Sequence, residues 1–224
     1  MSSTPQPASL RLPKSWKSIP RAFFLDAPEI VAPKLLGKIL AHRTLAGWLA
    51  GRIVEVEAYL GPHITATPDQ AAHSFRGVTA RNQVMFGPPG HAYVYFIYGM
   101  YYCVNVTCEP EGLAGAVLIR ALEPILGLEE MARNRNLPPS VSPAKLTGGP
   151  GRICRALAIT RAEHNGLDLL SRQSELQLRD DSSPAAPITV TPRIGIRHAA
   201  DLPLRFAVTA NPFVSRIPSA KKPV

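Results

Sequence analysis

Alternating side chains predict a β-strand over residues 52–59, which read Arg-Ile-Val-Glu-Val-Glu-Ala-Tyr. Because successive strand residues point to opposite faces, Ile53, Glu55, Glu57 and Tyr59 are expected on one face, with valine and alanine on the other. Two carboxylates therefore share a strand face with a tyrosine.

A second apolar stretch predicts a β-hairpin with strands at 92–97 and 101–107 and a turn at 98–100. Five of the six tyrosines of the chain lie in this segment. Together with the first strand, they indicate a pocket for a flat base with an acid beside it.

The length of the hairpin loop decides which side chains meet. A two-residue loop would pair Tyr95 with Tyr102 and send Asn105 to the opposite face. A three-residue loop with a glycine bulge pairs Tyr95 with Cys103 and brings Tyr93, Tyr95 and Asn105 together. We favour the three-residue loop.

The remaining pattern alternates between helical and extended segments. Helical spacing over 22–42 predicts a helix around an Ala-Pro, with Asp26 as its N-cap. The other predicted elements are an apolar strand at 115–122 that contains Arg120, a helix opened by Glu123-Pro124, a short helix at 152–159, and strands near 188–190 and 204–208. Residues 61–91 form a long irregular connection, which usually carries function or disorder.

These elements predict an α+β fold, with one mixed domain over 19–216, a curved antiparallel sheet, surrounding helices and a protruding β-hairpin. A chain of 224 residues with 46% hydrophobic residues can bury the core of such a domain. We expect a disordered basic tail at 1–18, although an organelle transit peptide also fits its composition, and a C-terminal tail at 217–224.

Charge indicates the kind of partner. The formal net charge of +9 attracts polyanions whatever the fold, although solubility alone would explain the same charge. The three cysteines form no Cys-x-x-Cys pair and no cluster has metal-ligand spacing, so we expect reduced thiols, no metal and no cofactor. Because neither a long apolar run nor a secretory signal occurs, we expect an intracellular protein without a membrane span.

The strand glutamates are the candidate catalytic groups. Glu57 among tyrosines, with Arg120 nearby, has the environment of a general base, although a structural salt bridge explains the same pattern. Glu55 lies on the same strand face and is an equally good candidate for the general base, so the local pattern does not distinguish between the two glutamates.

Several other residues suggest contacts with a nucleic acid. Tyrosines can stack on bases or fill the core of a sheet, but Tyr98 at a hairpin tip has no core to enter and could wedge into a base stack. His73 could donate to a base or a phosphate, although a loop histidine satisfied within the protein explains its presence equally well. Lys145 and the glycine-rich segment 147–151 resemble a phosphate-contacting loop.

Seven motifs in order resemble the alkyladenine, or 3-methyladenine, DNA glycosylase family over about residues 20–216. They are Arg-Ile-Val-Glu-Val-Glu-Ala-Tyr-Leu-Gly (52–61), Ala-Ala-His-Ser (71–74), Arg-Asn with Met-Phe (81–82 and 85–86), Tyr-Val-Tyr-Phe-Ile-Tyr-Gly-Met-Tyr (93–101), Val-Leu-Ile-Arg-Ala-Leu-Glu-Pro (117–124), Leu-Thr-Gly-Gly-Pro-Gly (146–151) and Pro-Leu-Arg-Phe (203–206).

The resemblance implies a monofunctional enzyme of base excision repair, a monomer acting on double-stranded DNA inside the cell. Such an enzyme flips out an alkylated or deaminated purine and hydrolyses its N-glycosidic bond, leaving an abasic site. The resemblance implies that Glu57 activates the water and that Arg120 holds it. It also implies that Tyr59, His73 and Tyr95 contact the flipped base, that Asn105 disfavours guanine and that Tyr98 fills the vacated stack. The residues implied to contact DNA are Arg81, Met100, Lys145, Thr147 and Gly149.

One departure from the family pattern is a longer segment between Tyr59 and His73. Two other functions compete with the implied one. A protein that binds distorted nucleic acid without cleaving it would have no use for Glu57 and Arg120, and a nucleoside hydrolase would not need the charge of +9 or a tyrosine at a hairpin tip.

Overall fold

A computed structural model describes residues 11–215, which form one mixed α+β domain around a nine-stranded antiparallel sheet. The strands are β1 (Lys17–Ser18), β2 (Ile39–Thr44), β3 (Gly47–Tyr59), β4 (Ala92–Ile97), β5 (Tyr101–Cys108), β6 (Gly115–Leu126), β7 (Leu176–Asp180), β8 (Ile188–Thr191) and β9 (Arg205–Val208). The helices are α1 (Pro28–Leu35), α2 (Leu128–Asn134), α3 (Ala144–Thr147), α4 (Pro150–Ala156) and α5 (Arg161–His164).

The fold class predicted from the sequence is confirmed. The strands follow the order β1-β7-β2-β3-β6-β5-β4, with β9 paired to β3 and β8 paired to β9. The predicted tails lie mostly outside the described residues, but Lys17 and Ser18 pair with β7. Within residues 11–215, no helix is long and apolar enough to cross a membrane.

Strand β3 organises the sheet because its first and second halves have different neighbours on one edge. Residues 47–52 pair with β2, whereas Glu55, Val56 and Glu57 pair with β9. The opposite edge pairs with β6 along most of its length. The strand thus passes from the outer part of the sheet into the region where the candidate carboxylates lie.

A bulge in β3 makes one predicted face assignment wrong. The register with β6 shifts between Ile53 and Glu55 and again between Glu55 and Val56. As a result, Ile53 and Val56 both pack in the main hydrophobic core, although strict alternation would separate them. An extra residue in one strand locally breaks the alternation, so Ile53 does not share the face of the glutamates.

Two predicted helices differ from the observed ones. The segment 22–42 splits into a 3₁₀ turn, helix α1 and strand β2, and Ala27 rather than Asp26 is the N-cap, because Pro28 occupies the first helical position. Glu123 and Pro124 extend β6 instead of opening a helix. Their pairing with β3 overrides the local signal, and α2 begins only after the left-handed Gly127.

The hairpin has the predicted length and pairing. Tyr95 pairs with Cys103, and a three-residue loop joins β4 to β5. Its backbone differs from the predicted glycine bulge, because both Tyr98 (φ 53°) and Gly99 (φ 68°) are left-handed. A bulky side chain rarely adopts this conformation, which costs about 1–3 kcal/mol and is typical of functional positions.

Candidate active site

A cavity of about 390 Å³ opens between the second half of β3, the hairpin and two loops. Its wall combines aromatic, aliphatic and basic side chains. The lining residues are Tyr59, Ala71, His73, Arg81, Met85, Tyr93, Tyr95, Ile97, Tyr98, Cys103, Asn105, Ala116, Leu118, Arg120, Pro150, Ile194, Gly195 and Ile196. The structure therefore brings the predicted base-pocket residues together around one space.

Glu57 lies directly behind this wall and is completely buried. Its Oε1 accepts a hydrogen bond from the Ile194 backbone N–H at 2.7 Å. Its Oε2 accepts hydrogen bonds from the Tyr59 hydroxyl at 3.0 Å and from Arg120 Nη1 at 3.1 Å. All three donor residues line the cavity, so the carboxylate is held where a small molecule entering between them would meet it.

Glu55 is equally buried but has partners of another kind. Its Oε1 accepts from Arg205 Nε at 2.7 Å and from Arg120 Nε at 3.0 Å, and its Oε2 accepts from the Ser215 N–H at 2.7 Å. Burial raises the pKa of Glu55, but the Ser215 hydrogen bond and the two arginines outweigh it and hold that pKa below its ordinary value. Glu55 is thus a charged structural anchor.

Arg120 joins the two carboxylates through separate nitrogens and lines the cavity. Burial alone would lower its pKa, but the charges of Glu57 and Glu55 raise it above the ordinary value. A planar guanidinium can hold two acceptors in fixed directions, which an ammonium group cannot. Arg120 therefore orients Glu57 relative to the cavity.

Three rings form the base-sized part of the cavity. The His73 ring lies 4.5 Å from the Tyr95 ring, almost perpendicular to it, and His73 Nδ1 is 2.9 Å from the Tyr93 hydroxyl. Tyr59, at the end of β3, lines the same cavity. Burial raises the pKa of Tyr59 and of Tyr95, so both hydroxyls stay protonated as hydrogen-bond donors.

The long loop before His73 does not displace it from the cavity. Asn82 is buried and donates hydrogen bonds to the His73 carbonyl at 2.7 Å and the Gly77 carbonyl at 2.9 Å. Although His73 is exposed at the cavity mouth, desolvation by the surrounding wall, aided by the charge of Arg81, lowers its pKa to about 4. A neutral imidazole offers a ligand one donor and one acceptor.

Asn105 and Tyr98 occupy opposite ends of the site. Asn105 is buried in the cavity wall, where its Nδ2 donates to the Tyr93 carbonyl at 3.0 Å. Tyr98 reaches the cavity rim from the hairpin tip but is 78% exposed, and Met100 beside it is 65% exposed. The tip thus presents an aromatic ring and a flexible apolar chain to an incoming partner.

A second concavity of about 450 Å³ lies on the other side of Tyr98. Arg135, Arg152 and Arg155 line it, and none of them forms a salt bridge with an acid among residues 11–215. Burial lowers the pKa of Arg135, and the two neighbouring guanidinium groups lower it further. Like charges held together without acidic partners indicate a site for a polyanion.

The other residues predicted to contact DNA differ in their exposure and in their position relative to the two concavities. Arg81 lies over the Tyr95 ring at 5.7 Å, and Lys145 is exposed on α3. Gly149 lines the arginine concavity. Thr147 is fully buried, and its hydroxyl donates to the Leu122 carbonyl at 2.6 Å, so this side chain braces the glycine-rich loop from inside.

Reasoning from the sequence missed one acid and six arginines, of which Arg205 bonds to Glu55. Arg135, Arg152 and Arg155 approach one another only because α2 and α4 pack together, and Arg161 joins Arg81 at a third concavity. Arg193 and Asp69 form an ion pair behind the cavity. No group of His, Cys, Asp or Glu among the described residues is arranged to hold a metal.

Comparison with known proteins decides the family. The model of the methylpurine-DNA glycosylase family matches residues 22–212. The chain belongs to that family. A relative from Koribacter versatilis is 55% identical over 197 residues, which cover 88% of this chain and 92% of the relative. Another from Methanoculleus marisnigri is 48% identical over 203 residues, covering 89% and 99%. Both are named "Putative 3-methyladenine DNA glycosylase".

Membership in the methylpurine-DNA glycosylase family confirms the resemblance read from the seven motifs. It makes the chain a DNA glycosylase, a hydrolase of N-glycosyl bonds that acts in DNA repair. The catalytic and base-binding roles of individual residues remain predictions, which the geometry of the cavity now makes specific.

The arginine concavity generates a testable prediction about DNA affinity. The double variant Arg152→Gln/Arg155→Gln should bind every duplex more weakly, because fewer phosphates are neutralised. The slope of log affinity against log salt should fall by about 0.9 for each phosphate that the protein no longer neutralises. Fluorescence anisotropy over a salt series measures both quantities.

The matched control is Arg43→Gln/Arg172→Gln, which removes the same charge from exposed positions near β2 and β7. If both double variants reduce the slope equally, net charge rather than the concavity determines DNA binding.

Proposed function

We propose that this chain is a monofunctional glycosylase that removes alkylated purines, including 3-methyladenine, with a water activated by Glu57. The observation that carries the proposal is the placement of one buried carboxylate between Arg120, Tyr59 and Ile194, all of which line an aromatic cavity. Relatives over nearly the whole chain are named for 3-methyladenine.

The reaction follows from the chemistry of an alkylated purine. Alkylation at a ring nitrogen leaves the base positively charged, so the C1′–N bond breaks readily and the base departs with its bonding electrons. The water oxygen bonds to C1′, and one of its protons passes to Glu57. The carboxylate also stabilises the positive charge that develops on the sugar.

The water must reach Glu57 from the cavity side, since the carboxylate is fully buried in the free protein. Tyr59 and Arg120, which both line the cavity, donate to the same carboxylate oxygen, Oε2 of Glu57. This oxygen therefore lies on the cavity side of the carboxylate. A water that hydrogen-bonds to Glu57 between these groups would lie next to a sugar whose base fills the ring-lined space. Positioning of this kind accounts for a large part of many enzymatic rate increases.

The aromatic wall supports recognition of a flipped purine. Tyr59 and one ring of the perpendicular His73–Tyr95 pair can stack on the two faces of a base, while the other ring of that pair contacts the base edge-on. Stacking contributes about 1–3 kcal/mol per base. Neutral His73 can hydrogen-bond to a neutral deaminated purine as well as to an alkylated one. Asn105 is buried and its amide is held by the Tyr93 carbonyl, so it would crowd the exocyclic amine of guanine.

The described cavity lining contains no lysine, which supports water rather than an amine as the nucleophile. An abasic site would therefore remain with its DNA backbone intact, for the next enzyme of base excision repair. We expect the enzyme to act as a monomer on the DNA inside the cell.

Replacement of the carboxylate tests the reaction. Glu57→Gln keeps the size of the side chain but removes its basicity, so release of methylated bases from methylated duplex DNA should fall by about 10²–10⁴-fold. Binding to the lesion should persist. Single-turnover release, measured by chromatography of the free bases, and anisotropy distinguish the two effects.

The control for this experiment is Glu123→Gln, the same substitution on β6 outside the cavity lining. Equal release by Glu57→Gln and wild type would exclude Glu57 as the general base. Binding of lesions without any release by the wild type would instead support a protein that only binds DNA.

A second experiment tests Tyr98 as the residue that fills the vacated base stack. Tyr98→Ala should weaken binding to a lesion duplex by about tenfold or more, because insertion of a side chain offsets the cost of unstacking. Thermal stability should not fall, since Tyr98 is 78% exposed and its side chain adds little to the core.

Leu45→Ala is the control for Tyr98→Ala, because Leu45 is also an exposed apolar residue at the tip of a hairpin, between β2 and β3. Unchanged lesion affinity in Tyr98→Ala would remove the insertion role.

A further inference from the structure

Arg193 and Asp69 form a fully buried ion pair next to the cavity. Arg193 Nη1 lies 2.7 Å from Asp69 Oδ2, and Nη2 lies 2.7 Å from Oδ1, with both side chains completely shielded from solvent. Taking two charges out of water is costly, so a buried pair is weak evidence for stability.

The pair ties three separate segments together. Asp69 also accepts hydrogen bonds from the backbone N–H groups of Leu60 and Ala71, at 3.0 and 3.1 Å. Arg193 also donates to the carbonyl of Ala58 at 3.0 Å. The end of β3, the long loop before His73 and the segment around Arg193 are therefore held in one arrangement.

The next residues along each segment form the cavity wall. The Arg193 guanidinium lies 4.6 Å from the centre of the Tyr59 ring, and Arg193 itself does not line the cavity, so it supports the ring from behind. The neighbouring Ile194 N–H holds Glu57 Oε1 at 2.7 Å. Ala71, two residues before His73, also lines the cavity.

The Arg193 side chain shows that this arrangement is not optimised for stability alone. Its Nε is buried without a hydrogen-bond partner among residues 11–215. A buried N–H left in this state destabilises the fold. The guanidinium nevertheless supplies a planar fork for Asp69 and a flat surface for Tyr59 together, which a lysine cannot do.

We propose that Arg193 and Asp69 are positioning residues of the glycosylase, which hold the Tyr59 ring and, through Ile194, the Glu57 carboxylate in their working geometry. This inference rests on the proposed function, since it assigns a purpose to the placement of Tyr59 and Glu57. Neither residue touches the base or the sugar. They act on the reaction only through the two groups that do.

The test compares Asp69→Asn and Arg193→Lys with wild type in single-turnover release of methylated bases from methylated duplex DNA. Rates are measured at a temperature where circular dichroism shows each variant to be folded. Both variants should be slower by about tenfold or more, because small misplacements of reacting groups cost up to about 100-fold. Arg193→Met, which also loses the charge, should be slower than Arg193→Lys.

The affinities for lesion and unmodified duplexes show whether Arg193 and Asp69 position the site or only stabilise the fold. In a Glu57→Gln background, each variant should bind a lesion duplex more weakly than its parent while binding an unmodified duplex equally well. A partly unfolded protein would lose both affinities together. Arg52→Lys is the matched control, because Arg52 on β3 also makes a two-pronged contact with an aspartate, Asp181, but lies outside the cavity lining.

Two results would overturn the inference: wild-type release rates in the folded variants, or equal loss of both affinities. If a single variant fails to fold, the same release rate and affinities are measured for the double variant Asp69→Asn/Arg193→Gln, which leaves no unpaired charge. Failure of the wild-type protein to release any base would refute the proposed function itself, whereas normal wild-type release with unaffected variants refutes only the positioning role.

Discussion

The site depends on one buried interaction, the bridge that Arg120 forms between Glu55 and Glu57. A buried carboxylate is costly unless opposite charges and hydrogen bonds compensate it. Arg205 supplies the second positive charge, on the Glu55 side. Two acids and two arginines thus form a cluster of balanced formal charge beside the cavity.

The sheet is arranged to make this cluster possible. The bulge in β3 turns both glutamates away from the main core. Along one edge of β3 the pairing partner changes from β2 to β9, which brings Arg205 opposite Glu57 in the sheet. Strand β6 carries Arg120 on the other side. Glu55 and Glu57, Arg120 and Arg205 thus lie on three paired strands, so backbone pairing fixes their positions relative to one another.

Much of this could be predicted from the sequence. Strand periodicity identified the glutamates, and hairpin pairing placed Tyr95 with Asn105, because both depend on local geometry. Glu57 could be preferred to Glu55 only by resemblance, since Arg205 and Ser215, the groups that distinguish them, lie about 150 residues away. The Arg193–Asp69 pair and the arginine concavity likewise require contacts between distant segments, which no local pattern reveals.

The most direct test of this account is a crystal structure of the protein bound to a duplex that contains an uncleavable analogue of an alkylated purine nucleotide. We expect the base between Tyr59 and the His73–Tyr95 pair, Tyr98 in the vacated stack, and an ordered water about 3 Å from a Glu57 oxygen and facing C1′. A base bound outside the cavity, with Glu57 still enclosed and no water beside it, would contradict the account.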